Sequence, residues 1–440
     1  MTGATGEQVL GPTGAGDRIE VLDVIRGYAL WGVLLINMMN FGALNVNLWT
    51  DPTNHFTYWA QRFFFEQKSW RLFSFMFGLG FAIQMIRADD RGVRFVSVYT
   101  RRLTVLFGIG ILHSFVYGSV LVPYAWLGFV LMFFRKASPR VLLVWVVVLL
   151  MFWPVDQHVT RVWNRSHQPD PELATETRQR NAAESQVETD GGQARQRARA
   201  DGTLLEFLAA NCRTVLSRFT EILDWDEYRG SESKVGIFAM FLLGLYVGRR
   251  RIFQHIDRHR LFVRKVMWWG LGLGLAASLS DWIIRDFVCQ GVSIAGEGPC
   301  LNELHPALTF GRALVWSFGA SAFSFFYAAL IAVLHERPRW RRILSPLGAV
   351  GRTALTHYVL QTILFSLVFA GFGFGQQNRL GSAPVFAIAA LIYAIEIPLS
   401  VWWLRRFQLG PLEWLWRTLT YMRLQPMRRP ATGALAAAES

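Results

Sequence analysis

The sequence predicts an all-α, polytopic integral membrane protein: a helical bundle of about ten transmembrane helices with both termini cytoplasmic. Three observations predict it. Hydrophobic residues make up 52% of the 440 and charged residues only 17%, where a soluble domain is nearer one quarter charged. The apolar residues gather into runs on the scale of the roughly 20 residues that a helix needs to cross a bilayer, and a helix satisfies its own backbone hydrogen bonds in lipid. The Lys and Arg residues behind the net charge of +14 cluster in alternate segments between those runs, the pattern by which positive charge sets orientation. Their placement makes them topology signals rather than a nucleic-acid surface, and the bilayer is the partner they imply.

The elements follow in order. Met1 to Arg18 is Gly/Thr-rich without an apolar core, so no cleavable signal peptide is expected and the first apolar segment stays as an anchor. Apolar stretches fall at 23–43, 70–86, 103–119, 121–134, 140–155, 235–248, 264–284, 306–334, 350–374 and 384–404. The fourth is short and the eighth long, which predicts tilting or a broken helix in each. Arg87, Arg91, Arg94, Arg101 and Arg102, then Arg135, Lys136 and Arg140, then 249–265, then 337–342, and finally the tail from Arg405 mark one face as cytoplasmic. The opposite segments lack a positive excess: 156–234 carries 11 basic against 14 acidic residues. The chain thus divides into an N-terminal transmembrane region (1–155), an extracytoplasmic insert (156–234), a second transmembrane region (235–408) and a cytoplasmic tail (409–440).

Within the insert, Gln168 to Asp201 is rich in Glu, Arg, Gln and Ala with almost nothing large and apolar, so it is expected to be solvated and the insert partly disordered. Thr203 to Asp224 places Leu204, Leu205, Leu208, Cys212, Val215, Leu216, Phe219, Ile222 and Leu223 at helical spacing, which predicts an amphipathic helix on the membrane surface or roofing the bundle. Cys289 and Cys300 share one external loop, where an oxidising compartment permits a disulfide. Cys212 is left as a small buried hydrophobe.

Ionisable residues inside spans are expensive, so they are the natural site candidates. Asp23 and Arg26, three apart on one helix face, read either as a structural ion pair or as part of a site. Asn37, near the far end of the same span, offers an amide donor for an oxyanion, or satisfies a neighbouring backbone group. His55 stands in an external stretch with Glu66 eleven residues on. A His with a carboxylate partner at the mouth of a bundle suits a general base, although a loop His is commonly just solvated. His113 and His357 cap buried networks or serve a site, and Arg312, Arg352 and Glu396 are further charges within spans. Asp281 and Arg285, four apart, read as a helix-surface pair. The sequence contains no Cys-x-x-Cys, no His-Glu-x-x-His and no Walker-type glycine loop, so neither a metal nor ATP-driven transport is expected.

Two stretches carry a resemblance. The first runs from Arg18-Ile19-Glu20-Val21-Leu22-Asp23-Val24-Ile25-Arg26-Gly27 through Ile36-Asn37 to Glu66-Gln67-Lys68-Ser69-Trp70-Arg71 and on to Gly78. The second runs from Val350-Gly351-Arg352-Thr353-Ala354-Leu355-Thr356-His357-Tyr358 to Gly410-Pro411-Leu412-Glu413-Trp414-Leu415-Trp416-Arg417. Together they resemble the YeiB-like bacterial membrane proteins, which carry a C-terminal domain of unknown function, over nearly the whole chain outside 156–234. That family is similar, more distantly, to the transmembrane acyltransferase superfamily that includes heparan-α-glucosaminide N-acetyltransferase.

The resemblance implies transfer of an acyl group from cytosolic acyl-CoA, with no covalently bound cofactor, to a hydroxyl or amine of an extracytoplasmic glycan, glycolipid or metabolite. It implies His55, Asn37 and Glu66 as catalytic residues and places the Asp-x-x-Arg-Gly motif on Asp23 and Arg26. Arg101 and Arg102, at the entrance of the third span, stand where a polyanionic donor approaches from the cytosol, and Lys68 and His113 complete the substrate-binding candidates. Two departures stand out: the interval from Asp23 to His55 is longer than in that enzyme, and Gly118-Ser119-Val120-Leu121 replaces the family's Gly-Asp-Ile-Leu. A small-molecule transporter and a non-catalytic membrane scaffold are the competing classes. A multi-pass protein of the bacterial plasma membrane, with a homodimer permitted by lipid-facing aromatic spans, completes the expectation.

Overall fold

The computed structural model describes residues 18–42, 51–92, 95–166, 196–221, 232–288 and 305–429. Among them every extended element is helical, and the one β feature is an isolated bridge between Phe407 and Arg428. The helices are α1 (Glu20–Gly42), α2 (Pro52–Phe64), α3 (Lys68–Asp90), α4 (Phe95–Ser114), α5 (Leu121–Phe133), α6 (Pro139–Ser166), α7 (Leu204–Glu221), α8 (Glu232–Arg249), α9 (Ile256–Trp282), α10 (Pro306–His335), α11 (Pro338–Arg352), α12 (Ala354–Phe369), α13 (Ser382–Arg406) and α14 (Pro411–Tyr421). Nine of the ten apolar stretches read from the sequence each fall mainly on one helix, and 350–374 is divided at Thr353 between α11 and α12. Among the described residues, six segments are long and apolar enough to cross a membrane by length and composition: Glu20–Gly42, Pro52–Asp90, Phe95–Ser114, Pro139–Trp163, Pro306–His335 and Ser382–Arg406. The protein is therefore a multi-helix membrane protein.

Local chemistry sets the breaks between helices. Asp51 caps α2, its carboxylate accepting the Thr53 and Asn54 amides, with Pro52 preset for the first turn. Hydrogen bonds from both groups hold the exposed Asp51 carboxyl below its ordinary range, the Asn54 backbone amide contributing most. The long apolar segment 52–90 is interrupted by Gln67, whose φ of 65° ends one helix and starts the next. His305 caps α10 through Nδ1, which accepts the Ala307 amide at 3.3 Å.

Glycines allow the closest approaches. A side chain at Gly78 would collide with the Phe241 backbone, and one at Gly244 with the Phe75 carbonyl, so α3 and α8 meet backbone to backbone. Gly27 and Gly351 do the same for α1 and α11: a Cβ on Gly351 would overlap the Asp23 carbonyl, and one on Gly27 the Leu347 carbonyl. The two motifs that the sequence separates by more than 300 residues are thus pressed together at one end of the bundle.

Two buried apolar clusters meet along α1. Val21, Val24, Ile25 and Ala29 belong to the first, with α3, α8 and parts of α4 to α6. Leu30, Leu34, Leu35, Met38 and Phe41 belong to the second, with α12 and α13. Residues 204–221 of the stretch 203–224 form α7, and 222–224 lie outside the described residues. Its Phe207 is buried and packs on Phe372 with ring centroids 5.1 Å apart. The Asn211 amide donates to the Val116 carbonyl and accepts from the Arg199 guanidinium. Those contacts place α7 over one end of the bundle. Cys289 and Cys300 lie outside the described residues.

Asp281 and Arg285 depart from the surface pair expected of them. Asp281 is only 2% exposed, because Arg62 of α2 and Arg312 of α10 converge on it together with Arg285.

Candidate functional site

A cavity of about 590 Å³ runs lengthwise through the bundle. Along α1 its wall is formed by Ile19, just before the helix, and by Leu22, Asp23, Arg26, Leu30, Val33, Ile36, Asn37 and Asn40. These recur every three or four residues, so a single stripe of α1 faces the cavity along its whole length. On α3 the stripe is Trp70, Phe73, Met76, Phe77, Gly80, Ile83, Gln84 and Arg87. At a rise of about 1.5 Å per residue, Ile19 to Asn40 spans roughly 32 Å, close to the hydrocarbon thickness of a bilayer. The two stripes run in opposite senses, since Arg26 and Arg87 share one end of the cavity while Asn37, Asn40, Glu66 and Gln67 share the other.

The first end is cationic. Arg18, Arg26, Arg87, Arg102, Arg352 and Arg417 line it, against the carboxylates of Asp23 and Glu413. Asp23 is engaged by Arg18 at 2.9 Å and by Arg26 at 2.9 Å. Glu413 is engaged by the backbone instead. It accepts the Leu355 and Thr356 amides and the Thr356 hydroxyl, and so caps α12 from α14. Burial pushes the Glu413 carboxyl up, opposed by the hydrogen bonds from Thr356 and Leu355. Burial, with the Arg102 guanidinium beside it, pushes Arg417 down to about 10. Six guanidiniums facing two carboxylates that already have partners form a mouth suited to a polyanion.

Arg102 stands 3.8 Å above the Trp416 ring, and the Trp416 indole N–H donates to the Arg102 carbonyl at 2.8 Å. The C-terminal helix α14 is therefore part of the cavity wall. Reading 409–440 as a tail hides this, and the available clue is Trp416 and Arg417 placed one turn beyond Glu413 on an amphipathic helix.

The middle of the cavity is apolar and aromatic, with Leu30, Phe73, Phe77, Leu106, Tyr124 and Tyr358 in its wall. Tyr124 is held by Ser74 at 2.6 Å and by the Trp70 carbonyl at 3.2 Å. Tyr358 receives the Val120 amide at 3.2 Å, and its ring lies tilted against His113 with centroids 4.8 Å apart.

The second end carries Asn37, Asn40, Glu66 and Gln67. Glu66 is held by Arg62, whose Nη1 donates to both carboxylate oxygens at 3.0 and 2.9 Å. Of the nine residues expected from the sequence to be catalytic or substrate-binding, Asn37, Glu66, Asp23, Arg26 and Arg102 share this one cavity. The remaining four lie elsewhere. His55 does not reach Glu66: its Nε2 lies 3.3 Å from Asp286 and accepts the Trp59 indole N–H at 3.1 Å. Lys68 is fully buried beside the cavity, donating to the Arg62 carbonyl at 3.0 Å with its ammonium 4.5 Å from the Trp316 ring centroid. Arg101 is exposed on α4. His113 is buried behind Tyr358, its Nε2 2.9 Å from the Thr362 hydroxyl.

His357 and Glu396 form a separate buried polar cluster between α12 and α13, with Nδ1 3.2 Å from Oε1 and Gln361 donating to Glu396 at 2.7 Å. Among the described residues, no group of three or more His, Cys, Asp or Glu side chains is arranged to hold a metal ion.

The fold and the cavity define a class: a helical membrane protein with a bilayer-length cavity, cationic at one end and amide- and carboxylate-lined at the other. Residues 247–423 match the family described as a protein of unknown function, DUF418. Along nearly its whole length the chain is similar to "Uncharacterized protein YxaH" of Bacillus subtilis (strain 168), at 30% identity over 96% of this chain and 98% of the relative. It is also similar to "Uncharacterized protein YeiB" of Escherichia coli (strain K12), at 25% identity over 93% and 98%. An "Uncharacterized 39.9 kDa protein in amylase 3'region" of Bacillus acidopullulyticus is 28% identical over 94% and 97%. The chain belongs to the YeiB-like family of bacterial membrane proteins that carry this domain. No solved structure matches it significantly.

Proposed function

We propose that this protein is a plasma-membrane acyltransferase that takes an acyl group from cytosolic acyl-CoA and passes it to a hydroxyl or amine acceptor on the extracytoplasmic side. In this reading the chain crosses the membrane ten times with both termini inside, and the arginine-lined mouth opens to the cytosol, as the positive-inside distribution of Lys and Arg requires. The single observation that supports it best is the cavity's polarity along its length. The phosphates of the donor meet Arg26, Arg102, Arg352 and Arg417, the pantetheine arm follows the apolar middle, and the thioester reaches the end lined by Asn37 and Glu66.

The chemistry follows from those positions. The acceptor oxygen or nitrogen attacks the acyl carbon while its proton passes to the Glu66 carboxylate, the acid–base side chain that lines this end. The Asn37 amide N–H stabilises the oxyanion that develops. The carbon–sulfur bond then breaks, the sulfur leaves as a thiolate, and the proton returns to it as CoA thiol. The new bond is the ester or amide to the acceptor, and Glu66 ends as it began. His55, outside the cavity wall, sits near the rim through which the acceptor enters.

The test is release of free CoA thiol by protein purified into lipid nanodiscs, with acetyl-CoA and palmitoyl-CoA as donors. Turnover that falls at least about 100-fold in Asn37→Ala and Glu66→Gln, and holds in Arg341→Ala, supports the enzyme. His55→Ala is expected to lose less than Glu66→Gln. Tight binding without thiol release from either donor would point to a transporter using the same cavity as its route.

A further inference from the structure

The Glu66 carboxylate stands at the turn between α2 and α3, and one guanidinium spans the gap between it and a buried anchor. Arg62 places Nε and Nη2 on Asp281 Oδ2 at 3.2 and 3.1 Å and turns Nη1 onto both oxygens of Glu66. Asp281 is fixed in turn: its other oxygen accepts Arg312 Nη1 at 2.8 Å and Arg285 Nε at 3.1 Å. The Asp281 side chain is 2% exposed, Arg312 4% and Arg62 12%, against 29% for Glu66. Exposure thus rises along the chain of contacts from anchor to cavity. The backbone is tied at the same point, because Lys68 reaches across the turn to the Arg62 carbonyl.

We infer that Arg62 is the positioning residue for Glu66, and that Asp281, clamped by Arg285 and Arg312, is the anchor that fixes Arg62. A planar guanidinium with one edge on Asp281 has a single direction left for Nη1, so the carboxylate at the cavity end has a set place rather than a range of rotamers. Buried charge pairs of this kind contribute little net stability over an apolar replacement. Their retention here is explained by what they aim. The inference rests on the acyltransferase reading above, in which Glu66 accepts the acceptor's proton, and it assigns that site its supporting shell. A residue that acts only through Glu66 has nothing left to do once Glu66 is gone, and this sets the test.

Thiol release from acetyl-CoA is measured in nanodiscs for wild type, Arg62→Gln, Arg62→Lys, Glu66→Gln and the Arg62→Gln/Glu66→Gln double variant. Arg62→Gln leaves Asp281 compensated by Arg285 and Arg312, and elution as a single species on size exclusion checks that each variant folds. The expected result is a fall in kcat of about 100-fold in each single Gln variant and a double variant no more than about threefold below the worse of them. KM for acetyl-CoA stays within about twofold, since the donor's charged part lies at the opposite end, and Arg62→Lys recovers part of the loss. Losses that multiply to about 10⁴-fold in the double variant overturn the positioning role while leaving the acyltransferase reading intact. A folded wild-type protein that releases no thiol from acetyl-CoA or palmitoyl-CoA overturns the acyltransferase reading, and the inference with it. The two failures are therefore distinct.

Discussion

The Trp416 ring lies 3.8 Å from the Arg102 guanidinium carbon, and its indole N–H is bonded to the carbonyl of the same arginine. One aromatic residue near the C-terminus thus holds the head and the backbone of an arginine on the fourth helix. A cation over an indole face gains about 0.5 to 2 kcal/mol depending on desolvation. The larger consequence is orientation, since the contact keeps Arg102 in the cavity wall.

Loss of Arg102 is therefore expected to weaken the anionic donor rather than the chemistry. Arg102→Ala should weaken acetyl-CoA binding about tenfold with kcat nearly unchanged, and Trp416→Leu should do so by a smaller factor. Isothermal titration at two salt concentrations checks this: wild-type binding weakens with salt, and the Arg102→Ala variant loses part of that dependence.

Glu413 caps α12 from a distance of more than 50 residues in sequence, with three hydrogen bonds to Leu355 and Thr356. Glu413→Ala should destabilise the protein by about 1 to 2 kcal/mol and free α14 from the mouth. A thermal melt in detergent reports the first effect. New protease cleavage between 407 and 421 reports the second. Glu413→Gln, which keeps an acceptor oxygen, should fall between the two.

Gly351 has no space for a side chain because the Asp23 carbonyl occupies it, whereas a Cβ on Gly272 meets no atom within 4 Å. Gly351→Ala is expected to cost about 1 to 3 kcal/mol by overpacking and to weaken donor binding by pushing Asp23 and Arg26 aside. Gly272→Ala should leave both unchanged. The melting temperatures of the two variants, compared in one detergent, decide it.

The start of α7 carries a pH signature. Thr203 and Glu206 cap one another, with the Thr203 amide donating to Glu206 Oε2 at 2.8 Å. Accepting that bond holds the exposed Glu206 carboxyl below the ordinary value, and the Thr203 hydroxyl adds to it. The folded state therefore favours the ionised form. Its contribution is present above the unfolded carboxyl pKa of about 4 and is lost as pH falls through the lower folded value. Limited proteolysis of α7 should quicken on acidification below pH 4 in wild type and lose that dependence in Glu206→Gln.

Much of the site could be read from the chain because helical periodicity carries it. The spacing from Asp23 through Arg26 to Asn37 already places these residues on one face of one helix, and the structure turns that face into the cavity. The partners of Glu66 could not be read. His55 is its nearest histidine in sequence, yet the i,i+4 neighbour Arg62 takes the carboxylate. Arg62 is fixed by Asp281, 219 residues away, a contact that no local pattern announces. Asp281 and Arg285 resemble a surface pair when only their own helix is considered. The two arginines that bury them come from α2 and α10. The apolar runs coincide with helices because burial in a bundle and burial in lipid ask for the same residues, although 350–374 is divided at Thr353 between α11 and α12. Among the described residues, length and composition single out six segments as candidates to cross.

Transfer across the bilayer requires the arginine-lined mouth and the Asn37/Glu66 end to open on opposite sides of the membrane. Single cysteines at Leu424, next to the mouth and 82% exposed, and at Phe56, on α2 and 72% exposed, can be labelled in intact cells with a membrane-impermeant maleimide after the three native cysteines are replaced. Phe56→Cys is expected to be labelled from outside, whereas Leu424→Cys reacts only once the membrane is opened. Labelling of both positions from the same side would contradict transfer across the bilayer.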